Sequence, residues 1–136
     1  MTKILFLCVA NSARSQMAEG LAKKVFGNEA LVQSAGSQPW KVHPHALMVL
    51  KEVGVDASDQ HSKSVNEINP DTVEIVITLC KEEVCPVFLS ENVQRLHWPM
   101  PDPASIVGED QDKIEGFRKV RDQILNQLEE FKKTFS

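Results

Sequence analysis

The chain has 136 residues, 42% hydrophobic and 25% charged, with a formal net charge of −4. Those values fit one soluble domain able to bury a core without disulfide staples, and they exclude a disordered chain. No basic run exceeds a Lys-Lys pair, so the protein is not built to hold nucleic acid by neutralising phosphates, and any anion it binds must be held locally. The apolar start, "MTKILFLCVANSARS", is too short for a secretory h-region or a membrane span; the expectation is a cytoplasmic protein with no membrane partner. Cys8, Cys80 and Cys85 are an odd count that cannot close entirely into intrachain disulfides. In a reducing compartment such thiols are catalytic, metal-binding or simply buried.

In chain order, "KILFLC" (3–8) suits a buried parallel strand, and "SQMAEGLAKKVFG" follows with Met17, Leu21 and Val25 at helical spacing and Gly27 placed to end the helix. "ALVQSAG" (30–36) reads as a second strand stopped by Gly36. "HPHALMVLKEVG" predicts a second helix, with Pro44 in the first turn, a stripe through Leu47, Leu50 and Val53, and Gly54 as its stop. "VEIVITLC" (73–80) is β-branched and predicts a central strand; "VQRLHW" (93–98) is a weaker one, with His97 and Trp98 expected beneath the loop that follows. That loop is the proline-rich "WPMPDPAS". From about Gln111, Ile114, Phe117, Val120, Ile124, Leu128, Phe131 and Phe135 recur every three or four residues, which describes a long helix with one buried face.

The order β-α-β-α-β-β-α predicts an α/β fold: a three-layer sandwich around a central, mostly parallel four-stranded sheet, one domain over residues 1–136. Ligands in such sheets bind at the carboxyl ends of the strands. Cys8 and Cys80 each close a predicted strand, which places both on that edge.

"CVANSAR" is a cysteine and an arginine separated by five residues, between a strand end and a helix start. Such a loop can turn its backbone N–H groups inward, and with the positive end of the helix dipole it suits a tetrahedral oxyanion. The candidate oxyanion-binding residues are Val9, Ala10, Asn11, Ser12, Ala13 and Arg14. Arg14 adds a planar bidentate donor, and the small side chains allow close approach. The same field favours thiolate over thiol, so Cys8 is expected to be the nucleophile. Ser15 is expected to hydrogen-bond that sulfur and to cap the helix. The competing reading is a buried cysteine beside a surface arginine; the strand before, the helix after and the small polar loop between them weigh against it.

"CVANSARSQMAEG", "SAG", the "DP" of "PMPDPA" and "TLCKEEVCP" together resemble the arsenate reductases built on the low-molecular-weight tyrosine phosphatase fold, over nearly the full chain. The resemblance implies that Asp102 acts as the acid that protonates the leaving oxygen. It also implies that Cys80 attacks the Cys8–arsenic adduct, that Cys85 resolves the resulting disulfide, and that thioredoxin reduces the Cys80–Cys85 pair. Glutaredoxin with glutathione is the alternative donor. No bound cofactor and no metal are expected, and the chain is read as a monomer. If "CKEEVC" were one helical stretch, its two cysteines would stand ~7.5 Å apart along the axis, beyond the ~7 Å reach of a disulfide; the segment would have to unwind when oxidised. Its carboxylates Glu82 and Glu83 read as solvated. Half of a zinc site is a further alternative for this pair, and the four scattered histidines, His43, His45, His61 and His97, fit it poorly.

The sequence departs from the pattern at four places. Some relatives bind potassium beside the anion loop through positions matching Asn11, Glu19 and Ser34 and an acidic residue; here that last position is Lys63, whose ammonium is expected to replace the cation. Ala13 stands where many relatives carry a cysteine, and the interval between Cys80 and Cys85 is short. Ala104, Ser105 and Ile106 follow the Asp-Pro pair where tyrosine phosphatases carry aromatic residues, which disfavours an aryl substrate. Two other hypotheses stand beside arsenate reduction: a phosphatase on small or protein phosphoesters, and a redox or anion-sensing module.

Overall fold

The computed structural model describes residues 2–81, 88 and 90–135. Four strands form one sheet in the order β2-β1-β3-β4: β1 Thr2–Cys8, β2 Ala30–Gly36, β3 Ile75–Thr78 and β4 Gln94–His97. All three pairings are parallel, with Cys8 opposite Gly36 at the carboxyl end of β1. The helices are α1 Arg14–Phe26, α2 Pro44–Glu52 and α3 Asp110–Lys132. The order of elements is the one the apolar periodicity predicts. β3 is shorter than the predicted 73–80, because its ladder with β1 ends at Leu7↔Thr78; Cys80 therefore lies two residues beyond the strand.

Strand alternation sets the layers. Ile4 and Phe6 of the central β1 face α1, α2 and α3, joined by Met17, Leu21, Val49, Leu50, Phe117, Ile124 and Leu128 in one core. Leu5 and Leu7 face the other side with Val76 of β3, and there Ile68, Val73 and Phe88 from the connecting segments pack with them. The sheet is thus the middle of three layers. Burying each large side chain of the α3 stripe stabilises the fold by about 1.5–3 kcal/mol relative to exposure. On α2 the stripe is rotated from the expected one: Ala46, Val49 and Leu50 are buried, and Leu47 and Val53 are partly so. Trp98 is buried against Phe6 and Phe131, at 6.3 and 5.5 Å between ring centroids. His97 is exposed and its Nδ1 meets Thr78 Oγ1 at 2.7 Å. It stands on the outer strand, not in the core beneath the proline-rich loop.

Local chemistry fixes the helix ends. Pro44 takes the first position of α2, where its missing N–H costs nothing, and His43 caps it by accepting the His45 N–H at 3.1 Å on Nδ1. A reciprocal capping box between Glu109 and Asp112 starts α3. The start of α1 is different. Its N-cap is Ala13, with no side-chain cap, and Ser15 lies inside the helix; the expected capping role of Ser15 is not found, because its hydroxyl is engaged elsewhere.

Between α2 and α3, Glu52 accepts from Arg118 at 2.7 Å and from Arg121 at 2.8 Å. The Arg118 hydrogen bond first, and Arg121 after it, hold the exposed Glu52 carboxyl at about 2, below its ordinary 4.5. A carboxylate held low contributes stability above its unfolded value and loses it as pH falls through its folded one. The window here runs from about 4.5 down to about 2. Urea unfolding across that window is expected to show a flatter acid limb for Glu52→Gln than for the unaltered protein.

Candidate active site

The segment between β1 and α1 is shaped by its carbonyls. Those of Val9, Ala10 and Ser12 accept the backbone N–H groups of Gln38 (2.9 Å), Trp40 (3.1 Å) and His43 (3.0 Å). That of Asn11 accepts from Gln16 Nε2 at 3.1 Å and Ser62 Oγ at 2.6 Å. Four successive C=O groups are thereby tied to surrounding chain. Because a planar trans peptide sets its N–H opposite its C=O, the N–H groups of residues 10–13 turn to the concave side. Asn11 makes the bend with a φ of 46°, a region Asn tolerates better than most residues. Gly36 is required next to it: a Cβ there would stand 2.4 Å from the Val9 carbonyl oxygen and 2.9 Å from the Asn11 nitrogen.

Cys8 is a free, buried thiol at the base of this loop. Its Sγ lies 2.8 Å from Ser15 Oγ. Asn11 Nδ2 donates to Ser15 Oγ at 2.7 Å and to Ser34 Oγ at 3.0 Å. With Asn11 donating to it, the Ser15 hydroxyl has its own proton available to donate to the sulfur. Ser34 in turn donates to Glu19 Oε1 at 2.6 Å.

A cavity of about 100 Å³ opens above Cys8, lined among others by Ser12, Arg14, Trp40, His43 and Asp102. Arg14 is buried, and its Nη1 donates to the carbonyls of Met100 (3.1 Å) and Leu79 (3.4 Å), which fixes the guanidinium at the cavity wall. Ser12 Oγ is buried with no hydrogen-bond partner, a donor aligned with an anion site. Asp102 Oδ1 accepts the Ala104 N–H at 3.0 Å and so starts the short turn Pro103–Ser105. The geometry therefore brings together Cys8, Arg14, Ser15 and Asp102. Of the expected loop residues, Ala10, Ser12, Ala13 and Arg14 line the cavity, whereas Val9 and Asn11 are not in its lining. Cys80 is buried and disulfide-bonded; Cys85, with Glu82 and Glu83, lies outside the described residues.

Trp40, His43 and Ala104 also line the wall and were not assigned to the site from the sequence. The signal for His43 was its place directly before Pro44 at a helix start. Trp40 carried none, because its approach to the loop is set by the backbone bonds of the 36–43 segment. Beneath the loop, Lys63 behaves as expected. Its N–H donates to Asn11 Oδ1 at 3.0 Å, and its Nζ stands 3.8 Å from Glu19 Oε1. Lys23 Nζ meets Glu19 Oε2 at 2.7 Å. The buried Glu19 thus faces two ammonium groups.

The family model for low molecular weight phosphotyrosine protein phosphatase matches residues 3–136. The chain belongs to this family. Within it, the chain is 43% identical over 133 residues to an arsenate reductase from Halalkalibacterium halodurans, covering 96% of this chain and 95% of the relative. A solved arsenate reductase in a phosphate-binding state superposes with a TM-score of 0.82 at 35% identity, covering all of both chains. A thioredoxin-dependent arsenate reductase from Corynebacterium glutamicum matches with a TM-score of 0.74 at 30% identity, over 99% of this chain and 62% of that one. The resemblance to arsenate reductases built on the low-molecular-weight phosphatase fold thus stands.

Asn11 joins the loop, Ser15, Ser34 and Lys63, so its loss leaves several buried groups unpaired. Asn11→Ala is expected to lower the unfolding free energy by about 2 kcal/mol, measured by urea titration.

Proposed function

We propose that the protein reduces arsenate to arsenite, as its relatives' names describe, with Cys8 as nucleophile and Cys80 and Cys85 as a disulfide relay. The observation that carries this reading is the free Cys8 thiol at the base of an oxyanion-sized cavity, with Arg14 and Asp102 in its wall and a disulfide-bonded Cys80 elsewhere in the same chain.

The loop N–H groups, the Ser12 hydroxyl and Arg14 bind three oxygens of arsenate and spread its charge. The Cys8 thiolate attacks arsenic, a sulfur–arsenic bond forms, and the leaving oxygen departs as water with a proton from Asp102. The Cys80 thiolate then attacks the Cys8 sulfur. As the disulfide forms, the electron pair of the sulfur–arsenic bond stays on arsenic, which passes from the pentavalent to the trivalent state and leaves as arsenite. Cys85 attacks Cys80, releasing the Cys8 thiolate and leaving the Cys80–Cys85 disulfide. An external dithiol, for which thioredoxin is the proposed donor and glutaredoxin with glutathione the alternative, returns two electrons. The chemistry calls for no bound cofactor, and reducing conditions suit a cytoplasmic setting.

Hydrolysis of a phosphoester at the same cysteine is the second reading. It gains from Trp40, which is 63% exposed at the cavity rim and offers the apolar wall that Ala104, Ser105 and Ile106 do not.

The decisive assay is arsenate-dependent NADPH oxidation with thioredoxin and thioredoxin reductase, run beside p-nitrophenyl phosphate hydrolysis without them. Cys8→Ser is expected to abolish both activities. Cys85→Ser is expected to stop multiple turnover of arsenate while sparing hydrolysis; full turnover by that variant contradicts the relay. In the same assay, exchanging potassium for sodium is expected to leave the rate unchanged, and Lys63→Met to lower it severalfold.

A further inference from the structure

We propose that His43 is a substrate-contacting residue of the oxyanion cavity, donating its Nε2–H to an oxygen of the bound tetrahedral anion on the side of Asp102. This rests on the reading of the cavity as an oxyanion site. Three contacts hold the ring. Its Nδ1 accepts the His45 N–H at 3.1 Å, so the proton of the neutral imidazole must sit on Nε2. Its backbone N–H donates to the Ser12 carbonyl at 3.0 Å, which couples the residue directly to the anion loop. Its ring packs against Phe117 at 4.7 Å and His45 at 5.1 Å between centroids. The ring has no alternative orientation that keeps both the helix cap and this packing, and it forms part of the wall shared by Cys8, Arg14 and Asp102.

The ring is also held in the form this role needs. Burial, first, and then the neighbouring His45 lower the His43 pKa below 6.5, with Lys41 and Lys113 adding to the effect and Asp102 opposing it. At neutral pH His43 is an uncharged donor. It adds a directed hydrogen bond to the cavity, leaving Arg14 as the cation that faces the substrate.

The cap supplies a clean test. Asn is a preferred N-cap, so His43→Asn preserves the start of α2 but is too short to present a donor where Nε2 stands. His43→Gln reaches further and carries an amide N–H. Inorganic phosphate is titrated calorimetrically into the unaltered protein and both variants, with unfolding midpoints measured in parallel. The expected result is a roughly tenfold weaker phosphate affinity in His43→Asn, recovery of most of that affinity in His43→Gln, and an unfolding midpoint lowered alike in both variants by the lost ring packing. Equal phosphate affinity in His43→Asn and the unaltered protein overturns the inference. So does an equal loss in both variants, which would assign the effect to ring packing. Absence of phosphate binding by the unaltered protein overturns the oxyanion reading itself, and this inference with it.

Discussion

The orientation of four consecutive peptide groups is the constraint on which the site depends. The carbonyls of residues 9–12 are each claimed by a donor from another part of the chain, and the N–H groups of the next residues are turned inward as a geometric consequence. The donors come from the segment after β2, from α1 and from the 60–64 region. A concavity lined with N–H groups would close on itself if left to local preferences, since the same residues are free to start the helix early. The parallel sheet prevents this by fixing where β1 ends and where β2 ends beside it, with only a glycine, Gly36, thin enough to let the loop pass.

Below that loop runs a buried polar chain from Cys8 through Ser15, Asn11 and Ser34 to Glu19. A buried carboxylate without compensation is costly, and here Lys23 and Lys63 supply the compensation from two directions. The chain of donors ends in the serine hydroxyl that serves the sulfur. Through it, residues away from the cavity floor are joined to the group that meets the Cys8 sulfur.

Much of this was legible in the sequence because it is local. The strand, loop and helix around Cys8 follow from one contiguous stretch, residues 2–26, and the apolar periods fix the number and order of the other elements. What was not legible depends on long-range geometry. Ser15 was expected both to meet the Cys8 sulfur and to cap α1; the contact with sulfur is found, but the fold adds Asn11 to its hydroxyl and leaves the cap unmade. His43 and Trp40 join the cavity because the 36–43 segment hydrogen-bonds back onto the loop, and no spacing rule announces that. His97 was expected under the proline-rich loop, but its place on an outer strand points it to Thr78.

The central claim is that the inward-facing loop seats a tetrahedral oxyanion directly on the Cys8 sulfur. Its most direct test is the rate at which Cys8 is alkylated by iodoacetamide, followed by mass spectrometry of the Cys8 peptide, with and without inorganic phosphate at constant ionic strength. The account predicts that saturating phosphate protects Cys8 and that chloride does not. An alkylation rate at Cys8 that is the same in both salts would contradict it.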